Sequence, residues 1–286
     1  MIQYFSGFAD EAGAALATQI RVTQVLGWHH IEMRNVQVPG FPGGNLHDIS
    51  DAAFAAVAEE LEAVGIRVNC FGTAIGKDAN GFEYDVRAAK NIAARAAKVG
   101  ATLARVMSYP MHSLPEETVF QRLREITQIL ADGGVQTVLE NCHNYAAMGA
   151  SHALRLVENV PGAALVFDPG NCIGFLDYSQ PEPYPLQSAW EFYREVRPQI
   201  AHFHVKDACF NGALTHTYPG EGQADVKRIL ADLLATGYDG GISIEPHLEN
   251  TGLSSDMLST DERCFQSYVE YGRRLEQLLS ELSTVS

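Results

Sequence analysis

Residues 137–168 read TVLENCHNYAAMGASHALRLVENVPGAALVFD, two short apolar runs on either side of a longer mixed stretch. The runs, Thr137–Glu140 and Ala164–Asp168, are rich in β-branched, aliphatic and aromatic residues, and each predicts a buried strand. Glu140 and Asp168 lie 28 residues apart, roughly the length of one strand–helix–strand unit. The segment therefore predicts two parallel strands joined by a helix.

The same unit recurs along the whole chain. Six further strands are predicted at Tyr4–Phe8, His30–Arg34, Arg67–Phe71, Leu103–Met107, Ala201–Val205 and Ile242–Glu245. Eight units in 286 residues favour a closed (β/α)8 TIM barrel, an α/β fold, over an open doubly wound sheet. An open sheet normally has a glycine-rich phosphate turn after its first strand, and this chain has FADEAGA at 8–14 instead.

The chain shows no internal linker. No Pro/Ser-rich segment divides it, so we expect one TIM-barrel domain over residues 1–286. The helical pattern from about Asp261 to Leu282 is expected to close the outer ring of helices. It could equally form a contact in a homo-oligomer.

Charge and composition exclude several classes of partner. The formal net charge is −15, which repels phosphate backbones and anionic lipid, so neither nucleic acid nor a membrane is expected as the main partner. No apolar run is long enough to span a bilayer. The five cysteines form no CxxC pair, which argues against a disulfide framework and favours the reducing cytoplasm.

Four consecutive strands, the fifth to the eighth, each end in a side chain that can bind a metal. These side chains are Glu140, Asp168, His204 and Glu245. The C-terminal strand ends of a barrel share one rim, where the active site lies, so the four groups are expected to converge. Three carboxylates buried together require a cation to remain ionised.

The donor set predicts one divalent metal ion. Carboxylate oxygens and one imidazole suit Mn²⁺, Mg²⁺ or Co²⁺, with Zn²⁺ also possible. The alternative is that the four are ordinary polar residues solvated at the barrel mouth. His202, two residues before His204, faces the same way. His202 could lie behind the metal ligands or at a second metal, or it could be a hydrogen-bonded core histidine. We favour a position behind the ligands.

Five motifs carry a family resemblance over essentially the whole chain. They are LEN at 139–141, FDPGN at 167–171, HFHVKD at 202–207, PGEG at 219–222 and SIEPH at 243–247. With these motifs the chain resembles the xylose isomerase-like TIM-barrel superfamily. That superfamily contains sugar isomerases and epimerases such as D-tagatose 3-epimerase, hydroxypyruvate isomerases, inosose and dehydroshikimate dehydratases, and apurinic-site endonucleases.

The resemblance implies a metal-dependent sugar isomerase or epimerase that works through an enediolate. In the epimerase-like members a Glu–Asp–His–Glu set holds one metal, and the two glutamates also move protons. The implied ligands here are Glu140, Asp168, His204 and Glu245, with Glu140 and Glu245 catalytic. A dehydratase of a cyclic ketone is the alternative, because it can start from the same enolate. An abasic-site endonuclease is third, and the charge of −15 argues against it.

Further residues near the expected rim are candidates for substrate contact, besides His202. Glu32 ends the second strand, where the family often has an acid, and could instead pair with an arginine. Arg105 lies in a strand that should be apolar, so it either snorkels or reaches into the site. Asp207 could touch substrate or fix the loop that follows it. The remaining candidates are His143, Asn171 and Lys206; Asn171 replaces the histidine that several sugar epimerases and the trinuclear endonucleases have there.

The expected substrate is an unphosphorylated sugar or keto-polyol. Barrel enzymes often bind a substrate phosphate with the loops after strands seven and eight. Those loops, roughly 208–224 and 246–260, contain no lysine or arginine.

Overall fold

Eight parallel strands form the centre of the molecule. The computed structural model describes residues 2–78, 80–178, 180–248 and 260–285. The strands are β1 Phe5–Gly7, β2 His30–Met33, β3 Arg67–Gly72, β4 Leu103–Val106, β5 Gln136–Glu140, β6 Ala164–Phe167, β7 Ile200–Val205 and β8 Gly241–Ile244. Each lies beside its neighbours in sequence, and β8 also pairs with β1. This order is that of a TIM barrel.

A helix follows each strand and covers the outside of the sheet. The helices are α1 Leu16–Val25, α2 Asp51–Ala63, α3 Phe82–Val99, α4 Glu116–Asp132, α5 Ala150–Asn159, α6 Ala189–Val196, α7 Val226–Ala235 and α8 Thr260–Val285. Their apolar faces and the outward strand residues share one large core. None of the described helices has the length and apolarity that a bilayer-spanning helix requires.

The seam between β1 and β2 closes the barrel differently from the other junctions. Every other neighbouring pair of strands pairs over three or more residues, with a register shift between β6 and β7. At the seam, in the described part of the chain, a single bridge joins Phe8 to Glu32. The pairing of β2 with β3 also shifts between Ile31 and Glu32. The extra residue of this bulge is Asn69 of β3, because the consecutive residues Ile31 and Glu32 pair with Val68 and Cys70.

The barrel interior is apolar at one level and polar at the next. Cys70, Leu103, Val138, Ala164 and Val166 form a separate buried cluster. Because strand side chains alternate between the two faces, this cluster faces the same side as the residues two positions further along β4, β5 and β6. Those residues are Arg105, Glu140 and Asp168. The apolar layer thus forms a floor beneath a polar site at the C-terminal strand ends.

The sequence-based prediction of a TIM barrel is confirmed. All eight predicted strands are present, with each boundary within one residue of its prediction. Two short antiparallel pairs after β2 and β7 were not predicted; they join Asn35–Val36 to Gly44–Asn45 and Asp207–Phe210 to Leu214–Thr217. The single-domain organisation stays a prediction, and part of the loop after β8, 249–259, lies outside the described residues.

Arg95 of α3 holds the loop between β2 and α2. Its guanidinium donates to the backbone carbonyls of Leu46, His47 and Ile49 at 2.9 to 3.2 Å. All three residues are buried, so these carbonyls have little access to water. Arg95 therefore donates to three buried acceptors, of which the His47 carbonyl also accepts the Asn91 amide at 3.1 Å.

We expect Arg95→Met to lower the free energy of unfolding by about 3 kcal/mol, since it leaves buried carbonyls without donors. Urea denaturation followed by circular dichroism measures the change. Lys98→Met, at an exposed position one turn further along α3, is the matched control and should change stability by less than about 0.5 kcal/mol. Equal stability of the two variants would contradict the role given to Arg95.

Candidate metal centre

Four buried side chains from consecutive strands meet at the top of the barrel. Glu140 is the last residue of β5, Asp168 follows β6, His204 lies in β7 and Glu245 follows β8. One ligand atom from each lies within 4.8 Å of the others. Two opposite oxygen ligands of a bound Mg²⁺ are about 4.2 Å apart, so small side-chain shifts would complete such a site. We call these four residues the cage.

Two cationic side chains lie against the carboxylates of the cage. The Arg105 guanidinium is 2.7 Å from Glu140 Oε2. The Lys206 ammonium lies between two carboxylates, 2.6 Å from Asp168 Oδ2 and 3.0 Å from Glu245 Oε2. These pairs reduce the repulsion among three buried negative charges.

The cations neutralise the cage unevenly. Burial acts to raise the pKa of Glu140, but Arg105 and His204 outweigh it and lower the pKa to about 2. Lys206 and His247 likewise hold the pKa of Glu245 well below its usual range despite burial. At Asp168 burial prevails, supported by repulsion from Glu245 and Glu140, and the pKa rises to about 7 even with Lys206 alongside. The repulsion at Asp168 is thus relieved by a proton rather than by its cationic neighbour alone, and a divalent cation would take over that role.

His204 presents an unused nitrogen to the cage. Its Nε2 lies 3.3 Å from Glu32 Oε1, and a carboxylate can only accept, so Nε2 donates. Its Nδ1 is buried without a hydrogen-bond partner among the described residues, 3.5 Å from Glu140 Oε1 and 3.7 Å from Glu245 Oε2. A carboxylate behind a histidine fixes the tautomer of a metal ligand. The donor set and this unpartnered nitrogen both fit a divalent cation.

Glu32 and His202 lie behind His204 rather than at the barrel mouth. Both are fully buried, and His202 Nε2 donates to Glu32 Oε2 at 3.0 Å. The two histidines outweigh burial and hold the pKa of Glu32 well below its usual range. The sequence allowed an ion pair between Glu32 and an arginine, but its partners in the structure are the two histidines. Neither Glu32 nor His202 lies where it could contact a substrate directly.

The trio Glu32, His202 and His204 could itself hold a metal by distance. In the structure, however, both imidazoles already use Nε2 on the one carboxylate. The two Nε2 atoms and the Glu32 carboxylate are thus paired with one another, which favours a supporting role for His202 over a second metal. Nδ1 of His202 is buried without a hydrogen-bond partner among the described residues.

Sequence reasoning missed a group of charged residues beside Glu245. Arg34 Nη1 and His247 Nε2 lie 3.5 and 3.3 Å from Glu245 Oε1. Two acids from the segment after β1 hold these cations, since Arg34 pairs with Asp10 at 2.9 Å and His247 with Glu11 at 3.0 Å. In the sequence only their positions could have indicated these two residues, because Arg34 directly follows β2 and His247 ends the SIEPH motif.

Asn171 and His143 lie beside the cage. The Asn171 amide donates to Glu140 Oε1 at 3.1 Å, so it holds a carboxylate of the cage. The His143 ring stacks on Phe175 with centroids 4.1 Å apart and stays partly exposed. Burial and Lys206 lower the pKa of His143, which leaves a neutral imidazole suited to hydrogen-bonding hydroxyl groups.

Asp207 fixes a loop and does not face the cage. Its carboxylate is buried and accepts backbone N–H groups of Ala208, Gly220, Gly222 and Ala224 at 2.9 to 3.1 Å. Of its two sequence-based roles, the structure therefore supports the loop and not the substrate contact. The PGEG motif supplies two of the donors.

Comparisons with known proteins place these features in a family context. A family model described as xylose isomerase-like TIM barrel matches residues 20–263. No curated protein is significantly similar to the chain.

Solved structures share the fold over nearly the whole chain. A D-tagatose 3-epimerase-like protein has a TM-score of 0.71 and 16% identity, covering 99% of this chain and 100% of that one. The IOLI protein with a bound zinc atom has a TM-score of 0.71 and 16% identity, with coverages of 98% and 99%. A Mycobacterium smegmatis protein described as a xylose isomerase-like TIM barrel in complex with magnesium has a TM-score of 0.65 and 19% identity, with coverages of 94% and 91%. At these identities the likeness concerns the fold.

Metal binding is expected to release protons. Burial acts to lower the pKa of His204, but Glu32 and Glu140 raise it to about 10, and that of Asp168 is about 7. Both groups therefore hold protons at neutral pH that an ion must displace. Mn²⁺ added to metal-free protein at pH 7 should release roughly one to two protons per ion.

Calorimetry in two buffers of different ionisation enthalpy measures this release. Affinity for Mn²⁺ should also rise between about pH 6 and pH 8, because protons compete with the ion. Asp168→Asn should bind Mn²⁺ more weakly and with a smaller pH dependence. An affinity independent of pH would contradict this account of the cage.

Glu32→Gln should weaken Mn²⁺ binding roughly 10- to 100-fold, since the carboxylate no longer holds the ligand histidine. Titration calorimetry gives the affinity, and circular dichroism shows whether the fold is kept. Glu62→Gln, on the exposed side of α2, is the matched control. Unchanged affinity in folded Glu32→Gln would disprove the supporting role.

Proposed function

The chain belongs to the xylose isomerase-like TIM-barrel family, and we propose that it is a divalent-metal-dependent isomerase or epimerase of an unphosphorylated sugar or keto-polyol. The observation that carries this proposal is the cage, in which four ligand-type atoms lie within 4.8 Å of one another. Nδ1 of His204 lies among them without a hydrogen-bond partner in the described residues.

In this proposal Glu140, Asp168, His204 and Glu245 hold one metal ion. Three carboxylates and one imidazole favour Mn²⁺, Mg²⁺ or Co²⁺. When bound, the cation would supply positive charge that polarises a substrate carbonyl and the neighbouring hydroxyl oxygen.

Glu140 and Glu245 are the proposed proton carriers. They enter the site from β5 and β8, with the strands that carry Asp168 and His204 between them, so they approach a substrate from two sides. Arg105 and Lys206 offset burial and keep both glutamates ionised at neutral pH. One carboxylate can thus accept the proton on the carbon beside the carbonyl, which leaves the substrate as an enediolate.

The direction in which the proton returns decides the product. Return to the opposite face of the same carbon gives epimerisation, whereas return to the adjacent carbon gives isomerisation. The Asn171 amide at Glu140, and the Arg34 guanidinium and His247 imidazole at Glu245, orient the two carboxylates. His143, partly exposed beside Phe175, is positioned to bind a substrate hydroxyl.

A small neutral or weakly charged substrate suits the site. The 208–224 loop after β7 carries no lysine or arginine to bind a phosphate. The acidic charge of the chain also disfavours a nucleic acid substrate. The five cysteines are free thiols, which supports the cytoplasm as the compartment.

Solvent-deuterium exchange tests the proposal. The Mn²⁺-loaded protein should incorporate deuterium from D₂O into at least one of a panel of free ketoses, followed by NMR. Glu140→Gln and Glu245→Gln should each lower the rate roughly 10²- to 10⁴-fold, because each removes a proton carrier. Glu62→Gln, remote from the site and exposed, is the control and should keep the wild-type rate.

Full turnover and full metal content in both glutamine variants would contradict the proposal. A conjugated enone absorbance from a cyclic ketone would identify a dehydratase instead. Cleavage of an abasic oligonucleotide would identify a nuclease.

A further inference from the structure

Three loops at the mouth of the barrel form one continuous wall. Met107 N donates to Ile75 O and Tyr109 N to Gly76 O, each at 2.9 Å. Ala146 N then donates to Tyr109 O at 3.0 Å. We call this the loop wall; it consists of residues 73–78 after β3, 107–112 after β4 and 141–149 after β5.

Gly76 brings the first loop unusually close to the second. Its φ is +75°, and a Cβ there would lie 1.9 Å from the carbonyl oxygen of Met107. The wall requires glycine at this position, because neither the conformation nor the space admits a side chain. The next residue, Lys77, is thereby held beside the end of β4, the strand that carries Arg105.

Lys77 differs from the other cations at the mouth. Arg34, Arg105 and Lys206 each form an ion pair with a carboxylate. Lys77 is partly buried and forms no ion pair or hydrogen bond through its ammonium with any residue that the structure describes. Burial and the like charges of Arg105 and Arg34 lower its pKa, which is the opposite of what a paired lysine shows.

Tyr145 supplies a second unused group in the same wall. It is partly exposed, and its hydroxyl makes no hydrogen bond to the described part of the chain. Pro110 and Tyr145 form a bridge between the second and third loops. Lys77 follows Gly76 and Tyr145 precedes Ala146, and the backbones of Gly76 and Ala146 both bond to Tyr109, so the two side chains start from the same part of the wall.

We infer that Lys77 and Tyr145 form a subsite for a carboxylate, and that the substrate is a keto sugar or keto-polyol acid whose carboxylate lies away from its carbonyl end. The inference rests on the proposed function, which places the carbonyl end at the cage. One oxygen of such a carboxylate would pair with the Lys77 ammonium, which has no counter-charge among the described residues. The other oxygen would accept a hydrogen bond from the Tyr145 hydroxyl.

The wall suits a carboxylate better than a phosphate. Phosphate sites normally combine several backbone N–H groups with positive charge. Here the N–H groups of Met107, Tyr109 and Ala146 are already used between loops. The nearby first turn of α3 carries Glu83 and Asp85, which repel a dianion. One ammonium and one hydroxyl match a single negative charge.

Calorimetry on the Mn²⁺-loaded full chain tests the subsite with three probes that share one carbonyl end. The probes are D-fructose, its C6 acid D-fructuronate, and D-fructose 6-phosphate. The acid should bind roughly tenfold or more tightly than fructose, as a charge-assisted hydrogen bond predicts. Lys77→Met should remove that advantage and leave fructose affinity unchanged, whereas Lys77→Arg should retain part of it.

Two further variants sharpen the test. Tyr145→Phe should weaken the acid several-fold by removing one hydrogen bond. Lys90→Met, which removes an exposed lysine from α3, should change none of the affinities. The advantage of the acid should also shrink as salt is raised, since screening weakens a partly exposed ion pair.

Several outcomes would overturn the subsite. The subsite is rejected if the acid and fructose bind equally tightly, if neither binds, or if the phosphate binds more tightly than the acid. It is also rejected if Lys77→Met weakens the binding of the acid and of fructose equally. The deuterium experiment separates this failure from failure of the proposed function. Exchange into fructose without preference for the acid sustains the isomerase or epimerase and rejects the subsite. Selective binding of the acid without exchange into any ketose sustains the subsite and rejects the isomerase or epimerase.

Discussion

Repulsion among Glu140, Asp168 and Glu245 is the constraint on which the upper half of the barrel depends. Three carboxylates held this close in a buried site cannot all remain ionised without compensation. The fold supplies Arg105 and Lys206 from inside the barrel, yet the raised pKa of Asp168 shows that the compensation is incomplete. Part of the repulsion is instead relieved by the proton that Asp168 holds, a role that the proposed cation would take over. The same repulsion accounts for the basic side chains that lie against the three acids.

The constraint extends below the cage through a chain of hydrogen bonds. Glu32 holds His204 from behind and is itself held by His202. The apolar floor lies beside Glu32 and His202, at the level of Cys70 and Val166, and it excludes water and strengthens each contact. The geometry of the cage therefore depends on more than its four residues, because Glu32 and His202 behind it set the direction in which His204 points.

Much of the fold and the cage could be predicted from sequence because both depend on local patterns. Strand–helix alternation specifies the barrel, and the rule that strand ends meet at one rim brings Glu140, Asp168, His204 and Glu245 together. Contacts between loops have no such pattern. Arg34 and His247 are recognised only once Asp10 and Glu11 are known to lie beside them. Asp207 looked like a site residue because sequence cannot show that distant glycines donate to it.

The closure of the barrel at Phe8 and Glu32 has a mechanical consequence. Sheets separate first where the fewest backbone groups pair, and here that junction is one bridge wide. The residue on its β2 side is also the carboxylate that orients His204. Any separation of the strands at this junction would therefore move Glu32 and, through it, the imidazole of His204 in the cage.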